Sequence, residues 1–460
     1  MAIQAGNVLR RVAMGWLLVS GLACTATDES LPPDIQDPAS LHTPAGAMAR
    51  YQGALTILPQ VFDGFLTRTG ILTDELADLP APLFVGGAYT SLDSRQDLSA
   101  FTDDYARLHN LRVQAREARG FLQAYADSSR ALVGHLYAEE GYGEIWLAEL
   151  FCSGIPLSTV DFNGDYTLAA GSSTADVYRH AITLFDSAMV MASDSVRFQH
   201  FAAVGRGRAL LALGRYAEAA AAVAGVPDTF TYRAAFPPEN LRLLSFFVTA
   251  PNPSTNYQSA PATPSVGNNE GGTGLDYRTS GDPRVPVKAV GQDANNQTLW
   301  FPANYDSTTF LTLTIANGIE ARLIEAEAAL QAGSDWLTKL NMLRTDGTQD
   351  GSGVYNPGTG GVAGLAPLED PGATLSGPAA DAARVDLLFR ERAFWLYLTG
   401  HRQGDLRRLI REYHRDQNAV YPSGTYPGGS GSYGAEVVVP VPQSEQELNT
   451  KYTGCVDHRA

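Results

Sequence analysis

The chain has 460 residues, a formal net charge of -16 and 44% hydrophobic residues. An acidic surface repels the phosphates of DNA and RNA, which excludes nucleic-acid partners, and the apolar fraction is enough to build a large core. The three cysteines lie far apart and the eight histidines are scattered, so no metal-ligand spacing occurs.

At the N-terminus, Arg10 and Arg11 precede an apolar run over residues 12–22 and then Ala23-Cys24. About 11 apolar positions are too few to cross a bilayer, which takes roughly 20. Residues 1–23 therefore read as a signal peptide. A cysteine directly after such a run resembles the bacterial lipoprotein processing site, with Cys24 as the lipid-bearing first residue. Gly21 stands where the usual leucine would, with Leu22 one place late, and cleavage nearby without lipidation is the alternative. Residues 24–46 are polar and proline-bearing and read as a tether. With Cys24 lipidated, Cys152 and Cys455 remain as an even pair in an oxidising compartment, a disulfide candidate. Two free buried thiols are the alternative.

Apolar residues recur at helical spacing over 47–65, and Thr73-Asp74-Glu75 after Gly70 reads as the N-cap of another short helix. Residues 80–82 break that pattern. Long helices are predicted over 105–126 and 131–151, the second ended by Gly154-Ile155-Pro156. After a glycine-rich loop at 163–172, Ser173 or Thr174 caps a helix through Tyr178, Ile182, Phe185 and Met189. A helix over 198–213, a tight turn at Leu213-Gly214-Arg215-Tyr216 and a helix over 217–224 have the spacing of a tetratricopeptide unit. A fainter unit runs from 318 to 344, with its turn at Ala332-Gly333-Ser334. Two units are too few for a solenoid, so repeat-like pairs near 174–227 and 318–344 are expected within one all-α body over 47–460. Two insertions, 250–314 and 346–379, carry no helical period, and insertions of that length usually serve function. The chain closes with tyrosines among glycines and an apolar stretch over 437–441 that reads as a short strand or extended arm.

Within this last third, residues 387–409 read as one helix. At about 100° per residue, Glu391, Arg402 and Asp405 share a stripe with Leu388, Phe394, Trp395, Leu398, Leu406 and Leu409. Unpaired buried charges cost several kcal/mol, so all three are predicted to be paired. Arg402 and Asp405 are neighbours at i and i+3. Glu391 lies roughly 16 Å from Arg402 along the axis and needs a cation from elsewhere. The three read as clamps that tie this helix to its neighbours.

No P-loop, dinucleotide fingerprint, metalloprotease helix or nucleophile elbow occurs. The carboxylate neighbours Asp74 and Glu75, or Glu139 and Glu140, come nearest to a glycosidase pair. On a helix, however, adjacent side chains diverge by about 100° and cannot flank one bond. No catalytic residue, metal or cofactor is therefore assigned, and the chain is expected not to be an enzyme. His135, His180 and His401 read as packed or surface residues. Aromatic side chains in loop-like sequence suit the stacking of sugars or peptides, with Trp300 and Tyr277 foremost. Trp146, Trp336 and Trp395 sit on helical faces and read as core.

Gly70-Ile71-Leu72-Thr73-Asp74-Glu75, Asp93-x-Arg95, the run EIWLAELFCSGIP from Glu144 to Pro156, Glu391-Arg392 and Gly400-His401-Arg402-x-x-Asp405-Leu406, taken in order, resemble the SusD/RagB family. The resemblance spans nearly the whole mature chain. It implies a helical fold with tetratricopeptide-like pairs. It further implies an outer-membrane, cell-surface lipoprotein that captures an oligosaccharide or peptide for a SusC/RagA-like TonB-dependent barrel transporter. By position it places the ligand side near 89–101 and 277–305, which adds Tyr89, Arg95 and Tyr305 to the binding candidates. The chain departs from the family at Trp395 and Thr399, where glutamates are common. Two rival roles are a tetratricopeptide-type scaffold of the envelope and a lipid-anchored glycoside hydrolase.

Overall fold

Helices frame the molecule, and the computed structural model describes residues 38–79, 93–99, 103–127, 129–161, 165–236, 263–292, 298–303, 312–349, 355–357, 365–426 and 431–456. The signal peptide, Cys24 and most of the tether lie outside these residues. Helix α1 (Pro44–Leu72) is capped by Thr43, whose side chain accepts from the Gly46 amide at 3.0 Å. It packs on α2 (Asp103–Tyr125), which packs on α3 (Arg130–Leu150). Trp146 is fully buried against Phe62, ring centroids 4.9 Å apart.

Helix α1 is longer than its sequence period suggests, and no helix opens at Thr73. The Thr73 amide bonds back to the Thr69 carbonyl, and its hydroxyl donates to the same oxygen at 2.8 Å. Thr73 therefore closes α1, and the chain enters strand β1 (Leu76–Leu79). Beyond α3, β2 (Ile155–Pro156) pairs with β5 (Gly171–Ser172), and β3 (Thr159–Val160) with β4 (Tyr166–Thr167), in antiparallel fashion.

Ser173 caps α4 (Thr174–Met191) by accepting from the Asp176 amide at 3.1 Å. Helices α5 (Val196–Ala212) and α6 (Tyr216–Val223) then form the first repeat-like pair. Helices α7 (Gly318–Gln331) and α8 (Trp336–Asp346) form the second, and α6 packs against α7. Both turns hold a glycine in the left-handed region, Gly214 at φ 67° and Gly333 at φ 65°, where a Cβ would be strained. That shared turn chemistry made both pairs legible in sequence.

The insertion before α7 is not wholly irregular. Strand β6 (Thr231–Ala235) pairs with β10 (Thr312–Asn317), β7 (Thr263–Val266) with β1, and β8 (Val287–Gln292) with β9 (Thr298–Pro302). These short pairs decorate a body that is otherwise helical, as expected.

The stretch read as one late helix is two, α9 (Pro378–Trp395) and α10 (Arg402–Arg411). Leu398 and Gly400 between them have positive φ, 50° and 72°. A leucine in that region is unfavourable, and the Glu75 side chain offsets the cost by accepting from the Leu398 amide at 2.9 Å. The break redirects α10, and with it every charge partner on that helix.

Val439 lies in a buried extended arm, where it accepts from the Cys152 amide at 2.9 Å and donates to the Leu150 carbonyl at 2.8 Å. Cys152 is bonded to Cys455 across 303 residues. A cross-link of that span constrains the unfolded chain strongly. Cys455→Ser is expected to lose about 2–4 kcal/mol in denaturant unfolding. A curve that matches wild type, with and without reductant, would show that the bond adds nothing.

Candidate functional site

Glu391 and Arg392 of α9 and Arg402, Asp405, Arg407 and Arg408 of α10 are buried and, with the arginines around them, form the polar interior. Arg402 does not pair with Asp405. Its Nε and Nη2 donate to the two oxygens of Asp74, at 2.6 and 2.7 Å, because the break before α10 turns it toward the end of α1. Asp74 also accepts from the Leu275 amide at 2.8 Å. Asp405 instead takes both Arg392 donors, at 2.8 and 2.9 Å, and Arg408 at 3.0 Å. Burial opposes ionisation of Asp405, but Arg392 and Arg408 outweigh it and hold its carboxyl down at about 2. Glu391 finds its cations elsewhere, in Arg284 at 2.8 Å and Arg344 at 2.7 Å. Arg284 in turn lies over the rings of Phe394 and Trp395. The partners of Glu391 were not legible because Arg284 comes from the 250–314 insertion and Arg344 from α8, both distant in sequence.

The adjacent carboxylates considered for hydrolysis are buried and engaged. Asp74 holds Arg402, and Glu140 accepts from Arg119. Glu75 is fully buried, which pushes its carboxyl up to about 8 despite the Leu398 amide. Glu139 lies 3.3 Å from His135 Nε2. Burial raises Glu139 to about 8 and lowers His135 to about 3, so at neutral pH the contact joins neutral groups and is no salt bridge. His135 is core, between the hydroxyls of Tyr51 and Tyr232 and stacked on Phe198. His401 is also core, 2.9 Å from Glu320. His180 is half-exposed and meets Glu144 at 2.6 Å.

Two of the expected ligand contacts are interior residues. Tyr277 is fully buried, its ring 5.1 Å from that of Phe394 and 4.8 Å from that of Tyr397. Its loop folds over α9, so loop-like sequence did not mean exposure. Arg95 is fully buried too, at φ 56°, lying over Tyr421 and donating to the Glu436 carbonyl at 2.8 Å and to the Pro422 carbonyl. It locks the 421–436 segment to the 93–99 loop. Beside it, Tyr426 donates to Asp93 at 2.8 Å and meets the Tyr433 ring edge-on.

Trp300 remains half-buried, on β9. Ser265 of β7 holds its backbone, accepting from the Trp300 amide at 3.0 Å. The pairs β1–β7 and β8–β9 thus make one platform that carries Trp300. Segments 80–92, 293–297 and 304–311 connect to it and lie outside the described residues, with Tyr89 and Tyr305 among them. A flat aromatic face on a braced strand can stack a sugar ring or a peptide plane. Among the described residues no group of His, Cys, Asp and Glu could hold a metal ion.

No protein-family model and no curated protein matches the chain. Solved structures do match, nearly end to end. NanU from B. fragilis aligns with a TM-score of 0.62 at 13% identity, covering 94% of this chain and 100% of that one. A SusD-like protein from Bacteroides fragilis gives 0.61 at 11%, covering 92% and 98%. A SusD-like carbohydrate binding protein from Bacteroides vulgatus gives 0.60 at 13%, covering 89% and 97%. The chain has the SusD-like fold.

The charge network sets two expectations. Glu391→Ala takes from Arg284 and Arg344 their shared carboxylate, although Arg284 keeps Asp282 at 2.7 Å, and should lose about 1–3 kcal/mol by chemical denaturation; a neutral result would mean that Asp282 and water satisfy the two arginines. For Glu139, the folded state keeps its proton up to about 8, against 4.5 for the free group. Its contribution is therefore full below the unfolded value and is lost as pH rises through the folded one. Glu139→Gln should flatten the decline of Tm between about pH 5 and pH 8. Parallel profiles for variant and wild type would contradict this.

Proposed function

We propose that this chain is a SusD/RagB-type surface lipoprotein that binds a nutrient, an oligosaccharide or peptide, and delivers it to a SusC-like TonB-dependent transporter in the outer membrane. The observation that carries this reading is the alignment with SusD-like structures, which spans 92% of this chain and 98% of the SusD-like protein from Bacteroides fragilis. One of the similar structures is described as carbohydrate binding. The lipid on Cys24 and the 24–46 tether would hold the folded body at the membrane. Consistent with an anchor outside the fold, no helix among the described residues is long and apolar enough to cross a membrane.

Binding without turnover fits the carboxylates. Asp74, Glu75, Glu139 and Glu140 are each at most 2% exposed, so none stands ready to protonate a glycosidic oxygen. Trp300 supplies the apolar face, and the platform strands fix its orientation before ligand arrives. Preorganisation of that kind lowers the entropic cost of binding.

Calorimetry of the lipid-free protein against glycans and peptides tests the reading, together with co-purification of a barrel partner from envelope membranes. Trp300→Ala is expected to weaken ligand binding by about 1 kcal/mol or more, with Tm unchanged. Unchanged affinity would remove Trp300 from the site. Binding to no glycan or peptide, with a retained envelope partner, would favour the scaffold role.

A further inference from the structure

A cleft lies far from Trp300, at the other end of α1. Its volume is about 460 Å³, and its walls come from His42 in the turn before α1, the C-terminal half of α2 and the β3–β4 hairpin. Helix α1 has 29 residues, so at 1.5 Å per residue its ends stand about 43 Å apart. The β1–β7 platform follows one end, and His42 precedes the other.

On one wall, the exposed His42 ring lies against the half-buried Tyr125 and the core residue Phe121. His42 stacks on Tyr125 at 5.3 Å and on Phe121 at 6.0 Å. Arg50 covers Phe121 at 5.4 Å from its ring centroid and pairs with Glu117. Arg116 lines the cleft, is exposed and makes no ion pair among the described residues. Asp161 faces in from the hairpin. Opposite Val160 in the strand register stands Tyr166, 76% exposed.

The position of Gly120 needs its own explanation. It lies inside α2, where glycine weakens a helix relative to alanine, yet nothing lies within 4 Å of where its Cβ would be. No neighbour of the fold demands a glycine there. Its effect is to leave bare helix backbone at the cleft, open to close approach.

We propose that this cleft is a second carbohydrate site, taking a short neutral glycan segment. An anion would meet Glu117 and Asp161, and a cation would meet Arg116. An uncharged ring bearing hydroxyls can donate to those carboxylates and accept from the guanidinium while its apolar face covers the open surface of His42 and Tyr125. The bare backbone at Gly120 lets the ring sit close. This site does not rest on the delivery role proposed above.

The test uses the full mature protein, wild type and two variants, against a calorimetric panel of neutral oligosaccharides (malto-, cello-, xylo-, manno- and chito-series) with oligogalacturonate as the acidic control. Gly120→Leu fills the cleft without burying the new side chain in the core and should leave Tm unchanged or raised. At least one neutral probe should lose at least about tenfold in affinity in Gly120→Leu while staying within about twofold in Trp300→Ala. If no neutral probe behaves so, or if only oligogalacturonate does, the proposal is overturned. Failure of the Trp300 site reads differently, as a panel in which nothing responds to Trp300→Ala. Arg116→Ala, at an exposed position with no ion pair to lose, gives the same readout if Gly120→Leu does not fold.

Discussion

The bidentate pair between Arg402 and Asp74 is the contact on which the layout depends. It joins residues 328 apart in sequence, both nearly or fully buried. Asp74 also accepts from the Leu275 amide, and Glu75 from the Leu398 amide. Three segments therefore converge on two acidic residues at the end of α1: the α9–α10 break, the 268–279 loop and the start of β1. The last of these leads directly into the strands that carry Trp300. Removing either charge would leave its partner buried and unpaired, a far larger cost than the pair itself is worth.

The same logic extends through α10. Arg402, Asp405, Arg407 and Arg408 each take a different direction: to Asp74, to Arg392, to the carbonyls at the end of α3, and to Glu327 on α7. Arg208 of α5 meets Glu149 of α3 at 2.6 Å and the Gly400 carbonyl. Apolar packing is tolerant of small shifts, whereas bidentate pairs have one geometry. A body built of degenerate repeats has weak internal register, and a web of directional contacts among its helices supplies what the repeats lack.

Helices were legible in sequence because periodicity and turn glycines are local. The repeat-like pairs, the cap at Ser173 and the core tryptophans followed from residues a few positions apart. The partners of the buried charges were not legible, since Asp74 and Arg402 are brought together only by tertiary folding. The helix break at 396–401 was hidden for a related reason. Leu396, Tyr397 and Leu398 all suit a helix, and the distant Glu75 side chain, accepting from the Leu398 amide, is what stabilises the turn. Tyr277 and Arg95 misled in the opposite direction: loop-like sequence suggested exposure for the first and the family resemblance placed the second on the ligand side, yet the aromatic ring and the guanidinium are what those loops use to fasten themselves to α9 and to the segments around Tyr421 and Glu436.

Loops must be anchored somewhere if they are to present a ligand face, and an anchor has to be buried to hold. The aromatic residues of an insertion thus divide into those that face inward and fix the loop and those left at the surface. Tyr277, Tyr421 and Tyr426 belong to the first group, all buried and with ring or hydroxyl contacts to the body. Trp300 is half-buried, its backbone held by Ser265 and one side of its ring packed on the edge of the core. Tyr166, on the hairpin beside the His42 cleft, is more exposed still. Solvent already covers the outer faces of such rings, so a ligand that displaces it gains apolar contact without disturbing the charge web beneath. For the same reason binding residues in this architecture can change with little penalty to the fold, whereas Asp74 and Arg402 cannot.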